Sequence, residues 1–187
     1  TIGNGISAQF GALFLLKNIR LGVTYDSPQW IELTDETKQS ISAFHYEEGL
    51  IVKEEISPSV TNQYDIYQIK IPSKTTLSFA YVFGPKGLFS IDYSNQNFAN
   101  TSLNNDFGSN YLTDVTQRIA SRFEGVNTLR VGGEYRIKDI SFRAGFLNQN
   151  TVHSNTIKNN KALTFGIGLD FGASSLGISL VNYEQNK

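Results

Sequence analysis

The stretch LRVGGEYRIKDISFRAGF, residues 129–146, decides the fold class of this chain. Large apolar side chains alternate with glycine or charged side chains on both sides of Lys138-Asp139, a two-residue turn sequence. A period of two residues is that of a β-strand, so the stretch predicts a hairpin with one apolar and one polar face. The predicted cross-strand pairs are Ile137 with Ile140, Tyr135 with Phe142, and Glu134 with Arg143.

The same two-residue period recurs along the rest of the chain. One face of each segment carries large aliphatic or aromatic side chains, and the other carries glycine, serine or charged side chains. The length of the segments is near the roughly ten residues that a tilted membrane-spanning strand needs. The eight predicted strands are residues 8–16, 20–26, 76–83, 89–94, 129–137, 141–146, 163–171 and 176–180.

Short and long connections alternate strictly between these strands. Outer-membrane barrels have this asymmetry, with short periplasmic turns and long extracellular loops. Gly87 is expected to take the left-handed conformation in a three-residue loop. The predicted tight turns are Lys17-Asn18, 85–87, Lys138-Asp139 and Ala173-Ser174, and the extracellular loops are about 34–73, 99–126 and 150–160. The turns predict the further pairs Phe14 with Leu21, Gln9 with Asp26, Phe83 with Phe89, Ala80 with Asp92, Phe171 with Leu176, and Asp170 with Gly177.

Composition and charge exclude several classes of protein. The chain has 187 residues, enough for one domain, and only 18% of them are charged, below the roughly 25% of soluble domains. A net charge of −1 gives no basic field for nucleic acid. The sequence contains no cysteine, which excludes disulfide scaffolds, zinc ribbons and thiol nucleophiles. No apolar run approaches the roughly 20 residues of a membrane-spanning helix.

The two strand faces favour a membrane barrel over a soluble β-sandwich. A sandwich turns its apolar face inward and its polar face to water. Here the apolar face is almost uniformly large, and the polar face combines glycine with opposed charges, which suits lipid outside and a polar lumen inside. The predicted fold is an all-β, antiparallel transmembrane β-barrel of the bacterial outer membrane, with residues 1–187 as a single partial domain.

The ends of the chain predict that this barrel is incomplete. Four hairpins with periplasmic tight turns begin and end outside the cell, whereas single-chain barrels normally begin and end in the periplasm. The last residues, Glu184 to Lys187, also lack the terminal aromatic strand that bacterial barrels usually carry. We therefore expect at least one further strand on each side of the eight.

The long connections contain predicted local structure. Residues 34–73 include β-prone stretches at Ser40–Phe44 and Tyr64–Ile71, which are expected to extend strands above the membrane. Ser109 is a candidate N-cap for a short amphipathic helix packed on the barrel rim, with partner binding as the alternative. The apolar face of this helix would comprise Leu112, Val115, Ile119 and Phe123.

Five stretches in order carry a family resemblance: LGVTYDSP (21–28), AYVFG (80–84), GLFSIDY (87–93), NTLRVGGEYR (127–136) and SFRAG (141–145). From about residue 19 to 187, this series resembles the C-terminal half of the FadL/TodX family, outer-membrane transporters of long-chain fatty acids and aromatic hydrocarbons. The sequence is most similar to versions from Bacteroidota. The resemblance implies a fourteen-stranded barrel with an N-terminal plug.

The resemblance also implies a route for the ligand. In that family an apolar ligand is captured among extracellular loops, moves into the wall or lumen, and can leave sideways into the membrane. The plug, the kinked early strand and the capturing loops have no counterpart in this sequence. No ligand-binding residue is therefore carried over, and the binding residues remain unassigned.

Charged residues on the polar face form the candidate site. One interpretation is a lumenal cluster that steers a carboxylate head group, and the favoured one is an ion-pair ladder that holds the barrel wall. The predicted cluster consists of Asp92, Arg130, Glu134, Arg136, Arg143 and Asp170.

Other motifs indicate no further chemistry. Gly166-Ile-Gly168-Leu-Asp-Phe-Gly172 lies on a strand without a following helix, so Gly166 and Gly168 are expected to leave room in the lumen. Asparagines and aspartates around residues 104–114 fail the EF-hand spacing, and His45 and His153 are expected to be solvated. We predict no catalytic residue, metal or cofactor. Interfacial aromatic girdles are predicted for Tyr25, Trp30, Phe83, Tyr93, Phe98, Tyr135 and Phe171, with ligand stacking as the alternative for Trp30.

The leading hypothesis is transport of hydrophobic small molecules through an outer-membrane barrel, without enzymatic activity. The first alternative is a barrel subunit that docks partner proteins, for example in type IX secretion. The second is a complete eight-stranded barrel with a filled interior, acting as an anchor or adhesin. The expected partners are outer-membrane lipid, a hydrophobic ligand and, in the first alternative, proteins, but not nucleic acid.

Overall fold

A computed structural model describes residues 1–39, 41–55, 60–106, 108–153 and 159–184. An eight-stranded antiparallel sheet, here the main sheet, dominates it. Its strands run in the order β2-β3-β10-β11-β13-β14-β15-β16, so each predicted strand is present and pairs as the tight turns require. Their bounds are β2 Gln9–Leu16, β3 Ile19–Asp26, β10 Lys74–Val82, β11 Gly87–Asn97, β13 Gly125–Ile137, β14 Ile140–Gln149, β15 Asn160–Asp170 and β16 Ser175–Glu184. The predicted all-β class is confirmed, and the sheet is open, with β2 and β16 at its edges.

A second antiparallel sheet continues four of these strands. It has the order β1-β4-β9-β12, which repeats the order β2-β3-β10-β11 of the main sheet. Tyr64–Ile71, predicted to extend a strand, contains β9, which pairs with β4 and β12. The bounds are β1 Ile2–Ile6, β4 Gln29–Thr34, β9 Tyr67–Ile71 and β12 Ser102–Asn104.

The two sheets are separated by a break at one level in all four strands. Pro28 and Pro72 lie in two of the breaks, where the missing N–H removes a ladder donor. Ser27 closes the break beside β2, because its N–H donates to the carbonyl of Ala8 at 2.7 Å and its Oγ accepts from the N–H of Ala8 at 2.8 Å. One backbone bond and one side-chain bond thus join the two strands at the break.

A projecting arm connects β4 to β9. It consists of β5 paired with β8 and of β6 paired with β7, each a two-stranded ladder. Glu48 and Gly49 at its tip both have positive φ, as a type I′ hairpin turn requires. Of the predicted stretch Ser40–Phe44, Ser40 lies outside the described residues, and a strand begins at Ser42. The bounds are β5 Glu36–Gln39, β6 Ser42–Glu47, β7 Leu50–Glu55 and β8 Val60–Gln63.

The predicted loop helix is present as α1, Asn110–Arg122. Thr116 fixes it to β12, because its hydroxyl accepts from the N–H of Leu103 at 2.9 Å and donates to the carbonyl of Leu103 at 3.2 Å. Ser109 is the N-cap residue as predicted, although its side chain makes no capping bond. Phe123 is the C-cap, and its N–H donates to the carbonyl of Ile119. No helix in the described part of the chain is long and apolar enough to cross a membrane.

The tight turns correct two of the predicted registers. Tyr81, not Phe83, pairs with Phe89, and Ala80 pairs with Ser90 rather than Asp92. The loop is Gly84–Lys86, with Gly84 in the left-handed region instead of Gly87. Gly87 does have a positive φ of 149°, and a Cβ there would clash with the carbonyl oxygen of Glu134.

The last hairpin shifts in the same way. Leu169 pairs with Leu176 and Asp170 with Ser175, so the predicted partners Phe171 and Gly177 were wrong. The turn is closed one residue earlier than predicted, by a bond from the N–H of Phe171 to the carbonyl of Ser174 at 2.8 Å. Gly172, which has positive φ, occupies the first central position of this turn. Both shifts equal two residues, so every side chain keeps its predicted face. The Lys17-Asn18 and Lys138-Asp139 registers are as predicted.

The distribution of burial is inverted relative to a soluble sheet. Apolar side chains on one face of the main sheet are exposed, up to 73% for Ile178. The buried side chains of the main sheet, Ser94, Val126, Thr128 and Ser141, all share the opposite, polar face by register. Exposed apolar surface of this extent indicates contact with lipid or with another protein surface.

Candidate functional site

The polar face of the main sheet brings three of the predicted site residues together. Glu134 lies opposite Arg143 across the β13–β14 hairpin, as predicted from the turn, and Arg136 follows two residues later on the same face. The Arg143 Nε donates to Glu134 Oε2 at 2.7 Å, and the Arg136 Nε donates to Glu134 Oε1 at 2.5 Å. Glu134 is thus bound by two guanidinium groups, and the trio carries one excess positive charge.

Glycine makes room for this trio, as the sequence predicted for Gly168. A Cβ at Gly168 would lie 2.5 Å from the Ser141 Oγ and 3.1 Å from the Arg143 Nη1. The guanidinium therefore lies over a strand backbone that has no side chain at this point. A polar hollow of about 330 Å³ opens beside it, and its lining includes Arg136 and Asp170.

The other predicted site residues lie apart from the trio. Asp92 and Arg130 are direct cross-strand partners, yet within the described residues no ion pair joins them. Asp170 lines the same hollow as Arg136 and Arg143, but its Oδ1 accepts from the N–H of Gly172 at 2.9 Å. The six residues thus divide into an ion-paired trio, an opposed pair and a turn-stabilising carboxylate.

An amide cluster at the loop end of the main sheet was missed from the sequence. Asn127 Oδ1 accepts from the Tyr93 hydroxyl at 2.8 Å and from the Asn95 Nδ2 at 2.7 Å. Asn150 extends the cluster, because its Oδ1 accepts from the N–H of Asn127 and its Nδ2 donates to the carbonyl of Gly125 at 2.7 Å. The signal was present as asparagines at equivalent heights on adjacent strands, directly beyond the last apolar residues.

A second missed cluster holds the second sheet to the base of the arm. Asp35 accepts hydrogen bonds from the Thr1 hydroxyl and, at 3.0 Å, from the Tyr67 hydroxyl. These bonds to Thr1 and Tyr67 lower the pKa of the Asp35 carboxyl below its usual value. Desolvation, followed by the bond to Asp35, raises the pKa of Tyr67. Residues so far apart in sequence gave no signal that they meet.

The remaining candidates are the two histidines and Trp30. Within the described ranges, no three histidine, cysteine or acidic side chains cluster around a possible metal position. The Nε2 of His45 lies 3.7 Å from a Glu47 carboxylate oxygen. Both histidines are exposed as expected, and the ring of His153 also packs against Phe123, with centroids 5.2 Å apart. Trp30 lies above the break, in the second sheet, where it lines a shallow hollow with Ile6 and Gln68.

Comparison with known proteins relates this arrangement to one fold. No protein-family model and no curated protein matches the chain. Among solved structures, the toluene transporter TodX of Pseudomonas putida superposes with a TM-score of 0.50 over 91% of this chain, at 17% sequence identity. The chain therefore resembles part of that β-barrel in fold. It spans 42% of the length of that transporter, and at this identity the likeness concerns the fold alone.

Proposed function

We propose that this chain is part of an outer-membrane β-barrel of the FadL type that transports hydrophobic small molecules. The observation that carries the proposal is the continuous, exposed apolar face of the main sheet opposite a polar, ion-paired face. Such a sheet is unstable in water but suits a barrel wall with lipid outside and a polar lumen. The solved structure that this chain resembles in fold is a toluene transporter, and we take the proposed substrate class from it.

The height of the apolar face supports the membrane assignment. On β13 it extends from Leu129 to Ile137, with Asn127 beyond one end and Lys138 beyond the other. Nine residues at about 3.3 Å each, tilted by roughly 40°, span about 23 Å. The apolar band of outer-membrane barrels is roughly 25 Å tall.

The open edges support a larger barrel. Unpaired backbone groups of β2 and β16 would be costly in hydrocarbon, and these two edges do not pair with each other in the described sheet, so we infer that further strands pair with them. We infer that six additional strands complete a barrel of fourteen, as the family resemblance implies. Aromatic hydrocarbons and long-chain fatty acids are the proposed ligands, and Bacteroidota are the proposed source.

Uptake by intact cells tests the transport proposal. A bacterial strain that lacks its own transporter for hydrophobic compounds expresses the full-length protein. Entry of radiolabelled toluene and oleate into these cells is measured, with a labelled sugar as the control compound. We expect faster entry of at least one apolar compound and no change for the sugar. If the protein is in the outer membrane and the entry of toluene and oleate is unchanged, transport is contradicted. An intact denatured mass of 20.8 kDa from native membrane would contradict the fourteen-stranded barrel.

Docking of a partner protein is the second candidate, and the arm favours it. Phe44, Tyr46 and Ile51 lie on one face of the β6–β7 hairpin and are each at least 65% exposed. Co-purification of secretion components with the full chain, lost in Phe44→Ser, would favour docking over transport.

A further inference from the structure

The apolar face of the main sheet contains a hollow where two small side chains lie side by side. Gly133 of β13 pairs with Ala144 of β14, and large side chains surround the pair in the same and the next row. A wide, open hollow of about 670 Å³ lies over this pair. Its rim is formed by Phe89, Phe165, Tyr135 and Phe142.

Basic side chains lie next to this hollow, at the level of the tight turns. Lys86 in the β10–β11 loop and Lys138 in the β13–β14 turn line a second hollow of about 430 Å³. Tyr135 lines both hollows and so connects them. In the described part of the chain neither lysine has an ion-pair partner, whereas the adjacent Arg136 is bound to Glu134.

We propose that the two hollows form one binding site for an anionic phospholipid. Lys86 and Lys138 bind the phosphate, and an acyl chain lies over Gly133 and Ala144 between the aromatic side chains. The site rests on the membrane-spanning barrel proposed above. Because tight turns of such barrels face the periplasm, the lipid belongs to the periplasmic leaflet.

The change from a charged to an apolar lining along β13 favours a lipid as the occupant. The turn-level hollow carries uncompensated positive charge, and about two residues further along β13 the lining becomes apolar. A phospholipid presents the same sequence of groups over the same distance, with aromatic side chains at the boundary. A basic residue near an anionic lipid surface contributes about 1 kcal/mol, or roughly fivefold in binding.

The first hairpin provides a matched control within the same molecule. Lys17 occupies a two-residue turn with positive φ, as Lys138 does. Above it, however, the apolar face is filled by Phe14, Leu16 and Ile19, so a lysine is present without a hollow. Ala12, which lies on the same apolar face opposite Val23, is the corresponding control for Ala144.

Native mass spectrometry of the full chain in detergent, with equal dioleoylphosphatidylglycerol and dioleoylphosphatidylcholine, tests the site. We expect preferential retention of phosphatidylglycerol, reduced about fivefold by Lys86→Gln or Lys138→Gln and unchanged by Lys17→Gln. Ala144→Phe should reduce retention of both lipids, and Ala12→Phe should not.

Two results would overturn the site. One is equal loss of preference in Lys17→Gln, which would mean charge attraction at any turn. The other is an unchanged preference for phosphatidylglycerol in both Lys86→Gln and Lys138→Gln. Neither substitution is expected to change the fold, so this result can be interpreted directly. Insertion into vesicles is measured in parallel. Failure to insert would count against the membrane barrel itself, whereas insertion without lipid preference would remove only this inference.

Discussion

The main sheet and the arm both expose large apolar side chains, but they differ in the neighbours of these side chains on adjacent strands. Phe165 in the main sheet is 57% exposed and Phe44 in the arm is 68% exposed. In the main sheet the neighbours of Phe165 on adjacent strands, Ala144 and Leu180, are apolar too. In the arm Phe44 pairs with Lys53. Apolar neighbours on adjacent strands, rather than the exposure of single residues, therefore distinguish a surface that is suited to lipid.

The strand partners differ in the same way. Six of the eight strands in the main sheet pair on both sides, whereas each arm strand has one partner among the described residues. A two-stranded hairpin is marginal in water without further packing. We therefore expect the main sheet to determine the stability of the barrel and the arm to open locally without unfolding it.

The largest predicted effect comes from a lysine on the apolar face. Val131→Lys places a charge at mid-height of β13, where lipid would surround it, and should cost about 2–4 kcal/mol. Phe44→Lys in the arm should change stability by no more than about 0.5 kcal/mol. Urea titration of folding into phospholipid vesicles measures both. Ser90→Lys, on the polar face, is the control, and equal costs at positions 131 and 90 would contradict the assignment of faces.

The next largest predicted effect on stability comes from Gly168, which lies beneath the Arg143 guanidinium. Gly168→Ala introduces a Cβ 2.5 Å from the Ser141 Oγ and 3.1 Å from the Arg143 Nη1. Both atoms end rotatable side chains that can move, so the cost should be about 1 kcal/mol. Gly177 is the cross-strand partner of Gly168, and a Cβ there meets nothing closer than 4.0 Å. Gly177→Ala should therefore be neutral in the same urea titration. Equal costs in the two variants would mean that the Ser141 and Arg143 side chains do not limit the space at Gly168.

A substitution in the ion-paired trio tests whether these residues hold the barrel wall or steer a carboxylate ligand. Glu134→Gln removes two charge-assisted bonds, but both arginines are about half exposed, so the cost should be about 1 kcal/mol. As a structural ladder, the trio should leave oleate uptake unchanged in this variant. A selective change in oleate entry, with toluene entry unaffected, would instead support steering of a carboxylate. Asp92→Asn, which breaks no ion pair within the described residues, is the control.

Sequence alternation predicted the strands and their faces but could not fix every register. A shift of two residues preserves each face, so the pattern around Phe89 is equally compatible with Phe83 or Tyr81 as its partner. Only the turn decides, and it depends on where the loop lies: Gly84, with φ +63°, begins a loop that ends at Lys86, one residue earlier than predicted. The Glu134–Arg143 pair was predicted correctly because the turn lies at Lys138-Asp139 as expected, whereas the turn expected at Ala173-Ser174 lies one residue earlier. The bonds of Asp35 were not, because they join segments without a shared pattern.

The smallest predicted effect is a pH dependence confined to the second sheet and the base of the arm. Bonds from Thr1 and Tyr67 lower the Asp35 pKa, so the folded state favours the carboxylate. This contribution is fully present above the unfolded-state value of roughly pH 4, and it is lost as the pH falls through the lowered folded-state value. Amide hydrogen exchange of β9 at equal chemical exchange rates should therefore rise on acidification while β13 stays protected. Asp35→Asn should exchange faster in β9 at neutral pH and lose the acid response. A response of the same size in that variant would assign it to another group.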